Sequence, residues 1–235
     1  MNPWNNRIER KGLDYEINEI RGEIINLADL VEKATSKAAT ALRDHNSAGS
    51  QAVLDEDRLI NQKRYQLEGT IIAVIATQQP TAHDLRLLTA ILDMCTELER
   101  MGDYAKGIAA INLRSGGLSL PRTLINLHYM ADKVMTMLQK AMEAFMKQDV
   151  ETAIILARED DLIDALYTQI YYEAMDLAIE DPRNLERVNY VLWAAHNLER
   201  SADRVTNICE RTVFVATGEL KEFHLTDRFT VAHKT

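Results

Sequence analysis

The residues best suited to chemistry are two pairs of carboxylates that share one spacing. Glu99 and Asp103 are four residues apart, and Glu199 and Asp203 repeat that spacing later in the chain. On a helix, residues four apart lie on the same face, where two like charges cost about 0.2–0.5 kcal/mol. Because this unfavourable pair occurs twice at equivalent places, we predict that something compensates its charge.

A second set of polar residues repeats together with these pairs. If the helices that carry the two sets pack side by side with the sets level, three or four oxygen ligands converge in each half. Oxygen-only sites suit hard cations such as Mg²⁺, Mn²⁺ or iron. The pattern therefore predicts metal ligands in the first half at Asp57, Asn61, Glu99 and Asp103, and in the second half at Asp160, Asp164, Glu199 and Asp203.

The acids could instead belong to a solvated surface without metal. Arg100, Arg200 or nearby lysines could neutralise them there. His196 precedes Glu199 by three residues and could reach the same ion, but its counterpart in the first half is Thr96, which favours a plain surface histidine. A ferritin-like di-iron site needs a Glu-x-x-His step, which none of the six histidines provides.

The chain has no recognisable catalytic or nucleotide-binding motif. It contains no G-x-S-x-G, H-E-x-x-H, P-loop or G-x-G-x-x-G pattern. Its formal net charge of −9 makes it a poor nucleic-acid binder, since phosphate binding needs a basic face. No apolar run is long enough to span a membrane, and two cysteines, Cys95 and Cys209, are too few for a disulfide framework. We therefore expect a cytoplasmic protein whose cysteines are core residues.

Helical spacing positions the candidate ligands. Apolar residues recur at steps of three and four along nearly the whole chain, and Gly and Pro are scarce, which argues against a β-sandwich or barrel. The few helix-breaking residues divide the chain into six predicted helices: 12–44, 48–77, 82–114, 122–147, 150–179 and 183–217.

The six helices form an internal repeat. Residues 37–61 align with 140–164, and residues 84–108 align with 184–208, with seven identities in each window where about one or two are expected. The sequence therefore predicts an all-α fold of two tandem three-helix bundles. The first repeat is residues 1–117, the second is 118–218, and 219–235 is a tail without assignment.

The repeated motifs resemble those of PhoU-type regulators of phosphate uptake. The resemblance covers roughly residues 10 to 217 and depends on Asp-x-x-Ile-Asn/Asp in the second helix of each half and Leu-Glu-Arg-x-x-Asp in the third. The most recognisable stretch of the first half is Gln78-Gln79-Pro80, Asp84-Leu85-Arg86 and Glu97-Leu98-Glu99-Arg100-Met101-Gly102-Asp103.

The resemblance implies a cytoplasmic, usually dimeric all-α regulator. Such a protein links the ATPase subunit of a phosphate ABC transporter to a phosphate sensor histidine kinase and represses the phosphate-starvation response when phosphate is plentiful. It also implies metal binding by the acidic motifs, with iron, magnesium, manganese or zinc as candidates. Asn61 departs from the family pattern, because an amide replaces a carboxylate, and Ser201-Ala202 stands where the first half has Met101-Gly102.

Two other function classes remain open at this stage. A metal-dependent hydrolase would use ions in the carboxylate clusters to activate water. A metal-free helical scaffold would use the same bundles for packing alone. The adaptor is the leading hypothesis, without enzymatic turnover, nucleic-acid binding or direct membrane insertion.

Overall fold

Amphipathic periodicity produces helices throughout the residues that the computed structural model describes, which are 3–116 and 124–223. Within these ranges there is no strand, so the all-α prediction is confirmed. The helices are α1 (Pro3–Arg43), α2 (Ser47–Gln78), α3 (Ala82–Arg114), α4 (Leu124–Lys147), α5 (Val150–Glu180) and α6 (Leu185–Thr217), with a short 3₁₀ turn at Pro182–Asn184.

The predicted helix boundaries differ from the observed ones mainly at two places. The first helix begins at Pro3 rather than at residue 12. Pro182 opens a 3₁₀ turn before α6 instead of the helix itself, and the backbone N–H of Asn184 donates to the Asp181 carbonyl oxygen at 2.9 Å in that turn. The predicted boundary between the repeats, the start of the fourth helix at 122 and most of the tail lie outside the described residues.

Local side-chain chemistry fixes the start of α3, where Asp84 caps the helix. Its Oδ2 accepts hydrogen bonds from the backbone N–H of Thr81 at 3.2 Å and from the Thr81 hydroxyl at 2.6 Å. Such caps satisfy polar groups that the first helical turn leaves unpaired. The cap sets the register of α3 and hence the place of its acidic residues.

The six helices form two three-helix bundles that lie side by side. α3 packs along α6 and α1 packs along α4, so these four helices join the halves. α2 contacts α1 and α3, whereas α5 contacts α4, α6 and the 3₁₀ turn. Among the described residues α2 and α5 do not contact each other, and both are outer helices.

One hydrophobic core runs through both bundles. The apolar stripe of α1 is buried, and Ile24, Leu27 and Val31 are fully inaccessible. Residues of all six helices belong to the same buried cluster. The repeats are therefore two halves of one packed unit.

A polar seam also joins α3 to α6. The Glu97 carboxylate accepts hydrogen bonds from Arg204 Nη1 at 3.2 Å and from Asn207 Nδ2 at 3.0 Å. Arg211 Nη1 donates to Asp93 Oδ2 at 3.2 Å. These contacts fix how the two motif-bearing helices lie against each other.

A helix that crosses a bilayer needs about 20 predominantly apolar residues in a row. None of the described helices combines that length with that apolar character.

Candidate metal centre

The predicted ligands lie on the outer helix and the seam helix of each half. The first acidic group is Asp57 and Asn61 on α2 with Glu99 and Asp103 on α3. The second acidic group is Asp160 and Asp164 on α5 with Glu199 and Asp203 on α6. The structure thus places each set on two helices that pack together, as the repeat predicted.

A glycine lets α2 and α3 approach closely beside the first acidic group. Gly102 lies between Glu99 and Asp103, and a Cβ atom there would be 3.1 Å from Ile60 Cδ1. That distance is shorter than ordinary van der Waals contact. Ala202 stands at this position in the second half, and Ile163 is the counterpart of Ile60, so the two helix pairs are not packed identically.

A lysine occupies the first acidic group. Lys106 Nζ donates to Asp57 Oδ2 at 2.7 Å, and Asn61 Nδ2 donates to the same oxygen at 3.2 Å. Asp57 is 7% exposed, so it makes these bonds largely away from water. The hydrogen bond to Asp57 raises the pKa of Lys106, and the charges of Asp103 and Glu99 add to that effect. Lys106 is therefore a protonated, built-in counterion of this group.

An arginine neutralises the glutamate of α3 in this half. Arg64 Nη1 lies 3.2 Å from Glu99 Oε1, and Arg64 Nε donates to Glu68 Oε1 at 2.7 Å. The hydrogen bond to Glu68, together with the charges of Glu68 and Glu99, raises the pKa of the Arg64 guanidinium. The first acidic group is thus compensated by two cationic side chains.

Both cations are absent from the equivalent positions of the second half. The repeat alignment places Thr206 where α3 has Lys106, and Tyr167 where α2 has Arg64. The Thr206 side chain is buried, and its hydroxyl donates to the Ala202 carbonyl oxygen at 3.5 Å. Neither residue carries a positive charge that could offset the acids.

The second acidic group therefore disfavours the ionised form of Glu199. Burial raises the pKa of Glu199, and the charges of Asp203 and Asp164 raise it further. His196 opposes this effect, with Nδ1 3.2 Å from Glu199 Oε2. Within the described residues no aligned hydrogen bond reaches that oxygen, which is buried. Burial and the neighbouring aspartates together therefore outweigh the effect of His196 on the pKa of Glu199.

The aromatic neighbours of this group show the same electrostatic effect. The Tyr167 ring lies 6.1 Å from the ring of His196. Burial raises the pKa of Tyr167, and the charge of Glu199 contributes. Tyr167 stays neutral at physiological pH and brings no positive charge to the group.

In the described part of the chain, no three His, Cys, Asp or Glu side chains converge closely enough to hold an ion. Metal binding at either group therefore requires side-chain rotation. At the first group it also requires Lys106 to leave Asp57. The donor chemistry fits an oxygen-preferring cation, since each group offers carboxylates and, beside the second group, His196 adds one imidazole nitrogen.

The cysteines lie in the core, as the sequence predicted. Cys95 and Cys209 are free and inaccessible, and burial raises the pKa of each thiol to about 12. Neutral thiols are poor metal ligands. Neither cysteine takes part in the acidic groups.

The sequence named Arg100, Arg200 or nearby lysines as possible neutralising residues, and a lysine does contact the first acidic group, since Lys106 donates to Asp57. Arg200 instead lies over the ring of Tyr104, with Cζ 4.9 Å from the ring centroid. The actual counterions, Arg64 and Lys106, follow Asp57 and Asp103 at helical spacing on the same faces. That spacing was the available signal, and a lysine aligned with a threonine was a second one.

Comparison with known proteins places this arrangement in a family. The PhoU domain model matches the chain twice, over residues 24–111 and 127–212. The phosphate-specific transport system accessory protein PhoU homolog of Pseudomonas putida is 36% identical over 205 residues, covering 86% of this chain and 80% of that protein. The Escherichia coli K12 accessory protein PhoU is 31% identical over 204 residues, covering 87% and 85%.

A solved structure shares the fold. The crystal structure of the phosphate transport system regulatory protein PhoU from Streptococcus pneumoniae superposes with a TM-score of 0.83 at 32% identity. The match covers 89% of this chain and 99% of that one. The similarity therefore includes both halves and the helices that carry the two acidic groups.

Proposed function

This chain belongs to the PhoU family, and we propose that it is a regulatory accessory protein of a phosphate transport system. It acts in the cytoplasm as an adaptor between the transporter's ATPase subunit and a phosphate sensor histidine kinase. It represses the phosphate-starvation response when phosphate is plentiful, and we expect it to catalyse no reaction.

The observation that carries this proposal is the double match to one domain. Both matched regions coincide with the three-helix bundles, and the similar proteins are named as accessory or regulatory proteins of phosphate transport. The match extends over most of each similar protein. Similarity over the whole fold, and not over one motif, therefore supports the same role for this chain as for those proteins.

The unequal halves support a role in bridging two different proteins. The bundles are joined along α1–α4 and α3–α6, which leaves α2 and α5 on the outside. The acidic group beside α2 is neutralised by Lys106 and Arg64, whereas the one beside α5 has neutral residues at both of those positions. Two outer surfaces of different charge can select two partners, because charge complementarity contributes specificity.

The second acidic group is the better candidate for a metal ion. Asp160, Asp164, Glu199 and Asp203 would hold it through carboxylate oxygens. The bound cation would supply the positive charge that Lys106 and Arg64 provide in the first half. The raised pKa of Glu199 supports this assignment, because burial raises it most and a nearby cation would offset both the burial and the added repulsion from Asp203 and Asp164.

Metal content tests the assignment to one half. The protein is purified without chelator, and bound metals are measured by mass spectrometry. Replacing Glu199 with Gln and Asp203 with Asn is expected to remove the metal, while the matched pair Glu99→Gln and Asp103→Asn retains it. Metal lost equally from both variants, or absent from the wild type after incubation with Mn²⁺ or Fe²⁺, would contradict the assignment.

Direct binding tests the adaptor role. The purified chain is immobilised and exposed in turn to the ATPase subunit and to the cytoplasmic part of the sensor kinase from the same organism. We expect both to bind. Binding of neither protein would contradict an adaptor, and turnover of a simple phosphoester that is lost in Glu199→Gln would favour the hydrolase hypothesis.

A further inference from the structure

The seam between α3 and α6 carries arginines at its middle that the two acidic groups do not use. Arg100 and Arg200 belong to the repeated Leu-Glu-Arg motifs, and both are exposed. Within the described part of the chain, neither forms a hydrogen bond or an ion pair. The charge of these two arginines is therefore available to a ligand.

Contacts across the seam show which part of α6 lies beside Arg100. Glu97 and Tyr104 share its face of α3, because they lie three residues before it and four residues after it. Glu97 accepts a hydrogen bond from Arg204 at 3.2 Å, and the ring centroid of Tyr104 lies 4.9 Å from Arg200 Cζ. Since Arg200 and Arg204 are one turn apart on α6, Arg100 lies level with that turn.

Positive charge is in excess at this place. Three guanidinium groups, those of Arg100, Arg200 and Arg204, lie beside the single carboxylate of Glu97. That carboxylate is already engaged, because its Oε2 accepts hydrogen bonds from both Arg204 Nη1 and Asn207 Nδ2. Like charges on adjacent helical turns repel one another. The middle of the seam is therefore suited to an anion.

Two buried donors beside these arginines lack a partner among the described residues. Tyr104 is 8% exposed, and its buried hydroxyl makes no hydrogen bond. The Nε–H of Arg204 is also buried and unpaired. Buried polar groups are nearly always hydrogen-bonded, because leaving one unpaired costs its full desolvation penalty. Two such donors next to exposed arginines indicate a binding place for an acceptor.

We propose that the middle of the α3–α6 seam binds a phosphate group. Guanidinium groups match phosphate oxygens, each of which accepts several hydrogen bonds. Arg100 and Arg200 donate from the solvent side, whereas the Arg204 Nε–H and the Tyr104 hydroxyl donate from the protein side. Because Arg200 covers the Tyr104 ring, its side chain rotates as the anion reaches the hydroxyl.

Acidic neighbours limit the site to a small anion. A cavity of about 460 Å³ follows it along the seam, and Asp93, Glu97, Glu210 and Glu222 are among its lining residues. An extended polyanion such as a nucleic acid would meet these carboxylates, whereas a single phosphate group would not. Free inorganic phosphate and the phosphate end of a nucleotide share the required chemistry.

This inference goes beyond the proposed regulatory role and does not depend on it. Phosphate binding is measured on the purified chain alone, whereas the regulatory role is tested with partner proteins and in cells. Failure of one therefore leaves the other standing.

Titration calorimetry with inorganic phosphate tests the site. The full chain is first stripped with EDTA and dialysed, so that no metal ion at the acidic groups holds phosphate instead. We expect binding that weakens as NaCl is raised, since salt screens charge. Arg100→Gln and Arg200→Gln should each lower the affinity at least tenfold. Arg58→Gln is the matched control, because Arg58 is an exposed arginine on the outer helix α2, and it should change the affinity little.

Tyr104→Phe separates a binding role from a structural one. The change removes only a hydroxyl that makes no bond within the described chain, so the melting temperature without phosphate should not fall. The affinity for phosphate should fall severalfold, because the anion loses one donor. In the wild type, phosphate should raise the melting temperature, since it binds the folded chain alone.

Competition identifies the source of the phosphate group. ATP that displaces inorganic phosphate and binds more tightly would support a nucleotide as the ligand of this site. ATP that binds more weakly than inorganic phosphate would support free phosphate as the ligand.

Three results would overturn the proposal. The first is a wild-type chain that binds neither inorganic phosphate nor ATP in the millimolar range. The second is an affinity that Arg100→Gln and Arg200→Gln leave unchanged, or that Arg58→Gln lowers as much as they do. The third is a Tyr104→Phe variant that binds phosphate as tightly as the wild type. Circular dichroism of each variant checks that it is folded.

Discussion

At the scale of single residues, equivalent carboxylates in the two halves have opposite surroundings. Glu99 lies 3.2 Å from the guanidinium of Arg64, and Asp57 receives a bond from Lys106. The pKa of Glu199 is raised by burial and by neighbouring carboxylates. The same motif therefore has built-in cations in one half, whereas in the other half its glutamate is buried beside carboxylates and a histidine.

This difference predicts opposite effects of one substitution at Glu199 and Glu99. A raised pKa means that folded Glu199 binds a proton more tightly than unfolded Glu199, so its ionised form destabilises the fold once pH rises above the ordinary carboxyl range. In EDTA at pH 7, Glu199→Gln should raise the melting temperature by about 1 °C.

The gain at Glu199 should shrink steadily as the pH falls through about 4, because the wild-type carboxyl then becomes increasingly protonated in both states. Glu99→Gln removes an ion pair instead and should lower the melting temperature by about 1 °C at pH 7. Calorimetry at both pH values measures the two effects. Equal shifts of the same sign would contradict the asymmetry.

Replacing Lys106 makes the first acidic group resemble the second, and so tests whether this lysine opposes metal binding. Lys106→Thr gives the first acidic group the residue that stands at position 206. In a Glu199→Gln background, this change should lower the Kd for Mn²⁺ at the first group at least tenfold, as titration calorimetry would show. Lys106→Arg keeps the charge and should leave the affinity low. A Lys106→Thr protein that binds Mn²⁺ no more tightly would show that Lys106 does not compete with a metal ion at this group.

The sequence predicted where the acidic groups lie but not how they differ. Repeat spacing was sufficient to place Asp57, Glu99 and their counterparts on adjacent helices. The same spacing puts Lys106 on the face of Asp103, but it does not show that Lys106 reaches Asp57 across the α2–α3 contact, because that depends on the rotation of both helices about their axes. Side-chain reach between helices is a tertiary property, and periodicity along one helix carries no information about it.

At the scale of elements, caps decide where the helices begin. Asn46 Oδ1 accepts a hydrogen bond from the Gly49 backbone N–H at 2.9 Å, and Asp149 serves α5 in the same way through Thr152. Apart from α1, whose start differs by nine residues, the helices have described ends within about two residues of the predicted ones. Long amphipathic periods and sparse helix-breaking residues explain that success, whereas the short backbone bonds of the 3₁₀ turn at Pro182 leave no periodic signal in the sequence.

Removing the Asn46 cap should loosen the start of α2. Asn46→Ala loses the bond to Gly49 and should lower the free energy of unfolding by about 1 kcal/mol. Asn46→Asp keeps an acceptor and should cost little. Urea unfolding followed by circular dichroism measures both variants. An alanine variant as stable as the wild type would contradict the role of Asn46 as cap.

At the scale of the whole molecule, the two repeats share one core. Buried residues of α1 and α4, and of α3 and α6, pack against each other across the repeat boundary. The sequence predicted two tandem three-helix bundles but did not show that they share a core. The core is continuous because α1, α3, α4 and α6 bury apolar residues where the two bundles meet as well as within their own bundles.

A shared core predicts cooperative unfolding of both halves. Leu27 on α1 is fully buried, and Leu27→Ala should cost about 2–5 kcal/mol. Hydrogen exchange should then accelerate in α5 and α6 as well as in α1–α3. Leu59→Ala, at an exposed site, should change exchange little. Faster exchange confined to the first half would show that the bundles unfold independently.

The most direct test of the proposed function is the activity of a phosphate-starvation reporter in cells that lack this gene, grown in ample phosphate. We predict high reporter activity in these cells and low activity once the wild-type chain is supplied again. Reporter activity that stays low without the gene would contradict a repressor of the phosphate-starvation response.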